Sequence, residues 1–302
     1  MPYDVLVIGG GPAGLSAAVN VRIRGRSVLV VSNPPEENPL WRAERVDNYL
    51  SLPGHSGPEL LTQMRRHAES AGVEFLTGKV LTSVRSGKLW YVSVGTEMYA
   101  ASALVLAAGV ARGKKFPGEA ELLGRGVSYC ATCDGAFFRG KDVAIVGGGN
   151  TALEDALYLA NVCRTVYLVH RRDAFRGEKA LADRVRQKEN IKIQYDSAVS
   201  KIRGESAVSS VLLENTKTGA QQELPVSAVF VAIGLIPENE IFSRQLPLDD
   251  NGYFVAGEDC KTPLEGVFVA GDCRSKLLRQ IITAAADGAV AGYQAAAYVN
   301  GI

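Results

Sequence analysis

The densest chemistry in the sequence lies in Cys130-Ala131-Thr132-Cys133-Asp134-Gly135. Two thiols three residues apart can close a small disulfide that an attacking thiolate opens readily. Just ahead of a nucleotide-binding βαβ pattern, such a pair reads as a redox centre. Zinc is the competing reading, and it needs four ligands, usually a second such pair or paired histidines. The sequence has no second Cys-x-x-Cys, and His55, His67 and His170 show no ligand spacing. The remaining cysteines, Cys163, Cys260 and Cys273, stand singly and read as small apolar core residues.

Two glycine-rich turns flank this pair. Val5-Leu6-Val7-Ile8 is a short apolar run suited to a buried parallel strand, and it feeds Gly9-Gly10-Gly11-Pro12-Ala13-Gly14. A helix is expected over Leu15 to Arg24, ended by Gly25, with Val28-Leu29-Val30-Val31 as the next strand. In that order, Gly9, Gly11 and Gly14 form a dinucleotide fingerprint, with the pyrophosphate at the helix N-terminus. The pattern recurs at constant offset, Lys141 to Gly149 repeating Tyr3 to Gly11, with Gly147, Gly149 and Ala152 as the fingerprint. Two fingerprints in register imply two dinucleotides.

The tips of the two second strands differ. The first ends in Ser32-Asn33, where a ribose-binding acid is the usual residue; the second ends in His170-Arg171-Arg172, followed by Arg176. Arginines there accept a 2′-phosphate through charge-assisted bonds, so the second site is expected to prefer NADP(H).

These motifs need an α/β frame. The expected fold has two Rossmann-like, three-layer ββα domains, the second inserted into the first: 1–112 with 239–302, and 113–238. Asn33 to Gly57 reads as loop, Pro58 to Ala71 as helix, and Val73 to Tyr99 as a small antiparallel sheet. Leu104 to Gly109 returns a strand to the main sheet. Gly113 to Gly118 and Pro237-Glu238-Asn239 read as linkers, with a second three-stranded insertion around Val208 to Leu213 and a strand over Val229 to Gly234. Val267 to Asp272 closes the sheet, and Arg279-Gln280-Ile281 opens a long helix through Ala297, its start carrying partial positive charge.

The bulk numbers agree with this frame. A chain of 302 residues, 47% hydrophobic and 22% charged, suits two globular domains. A net charge of +1 implies no nucleic acid or membrane-surface partner. The opening residues lead straight into a strand, with no secretory pattern, and the apolar run Ala100 to Ala111 is too short to span a bilayer. Five cysteines, an odd number without a disulfide framework, fit a reducing cytoplasmic interior.

Taken together, Cys130 to Gly135, Gly147-Gly148-Gly149-Asn150-Thr151-Ala152, His170 to Arg176 and Gly271-Asp272 resemble low-molecular-weight thioredoxin reductase, an FAD/NAD(P)-dependent pyridine nucleotide-disulfide oxidoreductase family. The resemblance runs along essentially the whole chain. It implies a homodimeric flavoprotein that passes electrons from NADPH through FAD to thioredoxin or a thioredoxin-like protein. By carry-over, Cys133 lies nearest the flavin, Cys130 attacks the partner's disulfide, and Asp134 exchanges protons with the thiols. FAD falls to Gly9, Gly11, Pro12, Ala13 and Gly14, with Asn48, Ala108 and Gly109, then Gly271, Asp272, Arg279, Gln280 and Ile281. NADPH falls to Gly147, Gly149, Asn150, Thr151 and Ala152, with His170, Arg171, Arg172 and Arg176. The family's rotation of one domain against the other places hinges at Gly113 and Pro237. One stretch departs from the family pattern, Glu37 to Arg45 standing where it carries Gly-Gly-Gln and paired threonines. That loop resembles flavin thioredoxin reductases fed by reduced ferredoxin, which gives an alternative donor. A flavin redox sensor is the non-enzyme alternative, separated from a reductase by turnover of a disulfide substrate.

Overall fold

The computed structural model describes residues 1–112, 116–233, 235–237 and 239–301. Gly113 to Lys115 of the first expected linker, Gly234, and Glu238 of the second lie outside the described residues. The chain forms two compact units, one of Met1–Ala111 with Ile236–Ile302, the other of Arg112–Leu235. The junctions drawn from the sequence, after 112 and after 238, stand slightly later along the chain.

In chain order the first unit begins with β1 (Tyr3–Ile8), α1 (Pro12–Arg22), β2 (Val28–Ser32) and α2 (Gly57–Ser70). It continues through β3 (Glu74–Thr77), β4 (Val80–Ser86), β5 (Leu89–Val94) and β6 (Glu97–Leu106). α2 starts on a reciprocal cap: the Ser56 N–H donates to Glu59 Oε2 at 2.7 Å, and the Glu59 N–H donates to Ser56 Oγ at 3.4 Å. A linking strand, β7 (Val110–Arg112), leads to the second unit. That unit comprises β8 (Val127–Ser128), α3 (Ala131–Asp134), β9 (Asp142–Val146), α4 (Asn150–Ala160), β10 (Thr165–Val169), α5 (Lys179–Gln187) and β11 (Ile191–Gln194). Its antiparallel layer, β12 (Ser197–Gly204), β13 (Val208–Asn215) and β14 (Gln221–Pro225), precedes β15 (Ala228–Val231). The return strand β16 (Leu235–Pro237) pairs with β7 as a two-stranded ribbon, Pro237 being its last residue. β17 (Val267–Val269) and α6 (Ile281–Asn300) complete the first unit.

The first sheet runs β3-β2-β1-β6-β5-β4, with β17 also on β6. One expectation is corrected here. Glu74–Thr77 is not part of the antiparallel arm; it lies parallel to β2, Leu29 opposite Glu74 and Ser32 opposite Thr77. Nor is the arm separate, because β6 is one long strand. Its first half pairs antiparallel with β5, its second half parallel with β17, and β1 covers its other edge. Adjacent residues of β1 divide between two cores, as the strand period of two requires: Val5 and Val7 face the α1/α6 side, and Leu6 faces Leu29, Trp90 and Val92. The second unit is built alike. Val143 and Ile145 of β9 pack under α4, while Ala144 and Val146 meet the β12–β14 layer through Val211 and Leu213.

α6 reaches α1 at backbone distance. A Cβ on Gly288 would lie 2.1 Å from the Ala13 carbonyl oxygen, and one on Gly292 would lie 2.4 Å from that of Ala17. Ser16 Oγ donates to the Ala285 carbonyl across the same seam at 2.7 Å. Gly288→Ala should therefore lower stability by about 1–3 kcal/mol through overpacking, although alanine is the better helix former by about 1 kcal/mol. Chemical unfolding midpoints measure this, and an equally or more stable variant would refute the close packing.

Candidate functional site

β8 delivers Cys130 to the start of the single turn α3, where it is the N-terminal capping residue: Cys130 Sγ accepts the Cys133 N–H at 3.2 Å. Cys130 and Cys133 are joined as a disulfide and are both half-buried. The turn lies flat on α4, since a Cβ on Gly135 would come within 2.9 Å of Leu159 Cδ2 and 3.0 Å of Tyr158 Cε1. Asp134 follows directly. Burial pushes its carboxyl above the usual range, and the Ser128 hydroxyl, donating to Oδ2 at 2.6 Å, pulls it back. Beyond the turn, Phe137 is 48% exposed and offers an apolar surface four residues after Cys133. Phe138 turns inward, edge-on to Phe230.

In the first unit, Gly9 holds the strand-to-helix turn at φ +117°, with no space for a side chain: a Cβ would lie 2.1 Å from the Ala107 carbonyl. The same proximity places Ala108 beside the turn, followed by Gly109 at φ +69° with open space around its missing Cβ. Pro12 and Ala13 open α1, which has Gly11 as N-cap and no side-chain cap. Its first N–H groups are thus left for an anion. Gly271 comes in against Ala13, so that Asp272 joins the cluster. Asp272 Oδ1 is buried without a hydrogen-bond partner among the described residues, and burial raises the carboxyl to about 6 against the pull of Lys276 and Arg279. A buried carboxylate lacking donors fits a polyhydroxyl ligand such as the ribityl chain of a flavin. Arg279 is engaged elsewhere, its guanidinium 3.9 Å above the Tyr253 ring and bonded to the Asp272 and Arg274 carbonyls. Gln280 is the N-cap of α6, its N–H on Thr283 Oγ1, and Ile281 is the first helical residue. Asn48 lies on the exposed loop between β2 and α2. Asn38, read from the sequence as a departure from pattern, puts its amide nitrogen 3.1 Å from the Cβ position of Gly11.

The second turn repeats the first. α4 has Gly149 as N-cap and no side-chain cap, and nothing lies within 4 Å of a Cβ placed on Gly149. Ala152 is fully buried and packs beneath Gly147; Thr151 is exposed. The Asn150 amide exchanges two hydrogen bonds with Glu178, 2.9 and 2.8 Å, and this ties the loop after β10 to the turn. His170 lies under the turn and is only 6% exposed, so it is neither a surface residue nor a presented charge. Its Nε2–H donates to the Ala174 carbonyl at 2.9 Å, and burial together with Arg172, Arg176 and Arg171 holds its pKa down. The three arginines themselves are exposed, and their guanidinium groups have no partner among the described residues.

Residues 3–288 match the profile of the pyridine nucleotide-disulphide oxidoreductases. The chain belongs to that family. Within it, the chain is similar to the thioredoxin reductases. That of Treponema pallidum is 39% identical, covering 99% of this chain and 97% of its own. That of Bacillus subtilis is 39% identical over 99% and 95%. The crystal structure of the Streptococcus pyogenes thioredoxin reductase superposes with a TM-score of 0.92 at 36% identity, covering 99% of each chain. The chain is thus an oxidoreductase of a family whose members use flavin and NAD(P)H.

In this oxidoreductase the loop bearing Asp272 is held by a buried ion cluster that the sequence reading missed. Asp287 of α6 accepts from Arg274 Nε at 2.8 Å and a second Arg274 nitrogen at 2.9 Å, from Lys276 Nζ at 2.8 Å and from the Gly271 N–H at 2.9 Å. Burial pushes this carboxyl up, and the two cations outweigh it, leaving the pKa lowered. The signal was present: a lone aspartate inside Ala284-Ala285-Ala286-Asp287-Gly288 must be paired if that face is buried. Asp287→Ala would take the buried carboxylate from two cations that are 3% and 6% exposed, leaving Arg274 the exposed Glu258 at 3.3 Å and Lys276 the Thr283 carbonyl. Loss of a partner from a buried pair costs about 3–5 kcal/mol, so the unfolding midpoint should fall steeply, and an unchanged midpoint would refute the cluster's structural weight.

The other three cysteines are buried, and burial raises their thiols, Cys260 to about 12 and Cys273 to about 11. Thiol titration of the reduced, folded protein should count two reactive groups per chain and five after unfolding; a third fast thiol in the native state would contradict this burial.

Proposed function

We propose that this oxidoreductase is a thioredoxin-disulfide reductase. FAD occupies the first glycine turn, in the domain formed by 1–112 and 239–302; NADPH occupies the second, in 113–238. What carries the reading is the union, in one chain, of two uncapped dinucleotide turns and a Cys130–Cys133 disulfide carried by the unit that holds the second turn. Flavin, when bound, relays an electron pair from the nicotinamide to the disulfide. The Gly11 to Gly14 turn and α1 hold its pyrophosphate, and Asp272 receives the hydroxyls of its ribityl chain. Arg171, Arg172 and Arg176 meet the 2′-phosphate, with His170 supporting the turn from beneath.

Reducing the disulfide consumes two electrons and two protons and leaves two thiols. The Cys130 thiolate then attacks one sulfur of the partner's disulfide, forming a mixed disulfide and releasing the other partner sulfur as a thiolate. The Cys133 thiolate attacks Cys130, re-forms the bridge and releases the second partner thiol. Both protons end on thioredoxin, with Asp134 as their carrier. The half-exposed Phe137 suits an apolar contact with a thioredoxin-like partner. A homodimer and a cytoplasmic setting follow from the family resemblance; among the described residues no helix is long and apolar enough to cross a membrane.

The test is anaerobic. NADPH should bleach the flavin rapidly, and NADH slowly. Cys133→Ser should still bleach but fail to reduce thioredoxin. Arg171→Ala with Arg172→Ala should raise the KM for NADPH at least about tenfold, because charge-assisted bonds to phosphate are lost, while leaving that for NADH unmoved. Bleaching by reduced ferredoxin alone would overturn the donor assignment and make the loop around Trp41 the better guide.

A further inference from the structure

Ser128 is the last residue of β8, 6% exposed, and its hydroxyl sits where three groups converge. Oγ accepts the Cys130 N–H at 3.0 Å. Its single proton points to Asp134 Oδ2 at 2.6 Å, and a second acceptor, the Cys130 carbonyl, waits at 3.3 Å. A hydroxyl has one proton and two lone pairs, so it can bond to this carboxyl in either protonation state. With Asp134 ionised, Ser128 donates to Oδ2. With a proton on Oδ2, the carboxyl donates to Oγ, and the hydroxyl proton swings to the Cys130 carbonyl. In neither state is a buried polar atom of this trio left without a partner.

We propose that Ser128 is a positioning residue for proton transfer at the dithiol: it holds Asp134 against the N-terminal end of the redox turn and keeps the carboxyl bonded as it gains and loses its proton. This rests on the reading of Asp134 as the proton carrier. The two sulfurs are the groups that exchange protons with it, and Ser128 touches neither of them, so its action runs through Asp134. The other ionisable groups on or beside the elements packed against α3 are Tyr129, whose hydroxyl donates to Glu119 at 2.8 Å, Glu154, Asp155 and Tyr158 of α4, and Arg139 after the turn. None is bonded to Asp134, whose shift has only two causes, burial and Ser128.

Burial alone raises the Asp134 pKa; donation from Ser128 stabilises the ionised form and lowers it. Removing the hydroxyl therefore moves the pKa further up. Attack on the partner's disulfide needs Asp134 ionised to accept a thiol proton, so activity falls as pH drops through that pKa.

The experiment compares wild type, Ser128→Ala, Ser128→Thr, Asp134→Asn and the Ser128→Ala/Asp134→Asn double variant, as flavin-loaded enzyme. Flavin bleaching by NADPH and kcat/KM for thioredoxin are followed from acid to neutral pH. In Ser128→Ala the acid limb should move up by about one pH unit, a loss of about tenfold on that limb, with bleaching unchanged. Ser128→Thr keeps a hydroxyl and should restore the limb. Asp134→Asn should lack the limb, and adding Ser128→Ala to it should change nothing more. A Ser128→Ala profile superposable on wild type overturns the proposal, as does an equal loss at every pH that persists in the Asp134→Asn background. Should wild type itself not reduce thioredoxin, the thioredoxin reading falls instead, and the pH profile of disulfide reduction with a small disulfide such as dithionitrobenzoate still judges Ser128.

Discussion

Everything in the first unit hangs on the close approach of α6 to α1. The chain leaves this unit at Ala111 and re-enters at Ile236, so the strand and helix that finish it are distant in sequence from those that begin it. What brings them back is contact between backbones, with Gly288 over the Ala13 carbonyl and Gly292 over that of Ala17. Side chains at either position would push α6 outward and carry Gly271 and Asp272 away from the turn at Gly9 to Gly14. The approach of Gly271 and Asp272 to the first glycine turn is thus a by-product of helix packing.

The electrostatics of the sites turn on which polar groups find partners within the chain and which are left for a ligand. α2, which needs no ligand, closes its own start with Ser56 and Glu59. α1 and α4 leave theirs open. Asp287 is fully matched by Arg274, Lys276 and the Gly271 N–H, whereas Asp272, fifteen positions earlier on the loop that cluster braces, keeps one oxygen unmatched. The matched carboxylate is structural and the unmatched one is poised. Asp134 lies between these extremes, partly relieved by Ser128.

The parts of this arrangement written in short stretches were legible in the sequence. Glycine turns after apolar runs, the Cys-x-x-Cys pair and the arginine-bearing strand tip each depend on neighbours a few residues away. What was not legible depends on pairing across distance. Glu74–Thr77 alternates like the arm that follows it, and only the free edge of β2 makes it a parallel strand. The long strand β6 shows no local mark of where its partner changes from β5 to β17. His170 reads as one more nucleotide-binding member of the basic strand tip, and only the depth of the space under Gly148 explains its burial. Ser128 lies before the motif and carries no signal until the turn folds back over it.

The strand tips reveal a division of labour shared by both units. Ser32 and His170 occupy equivalent places, and each fills the space left by the middle glycine of its turn: a Cβ on Gly10 would lie 2.7 Å from Ser32 Oγ, and one on Gly148 would lie 2.2 Å from His170 Nδ1. The residue at the strand tip, Ser32 ending β2 and His170 following β10, is therefore committed to foldedness, and under the proposed assignment discrimination between cofactors passes to the exposed residues after it, Asn33 in one unit, Arg171 and Arg172 in the other. Separating the two duties makes the scaffold evolvable. A duplicated copy can exchange its exposed loop and adopt a different nucleotide while its turn, strand and helix stay as they were.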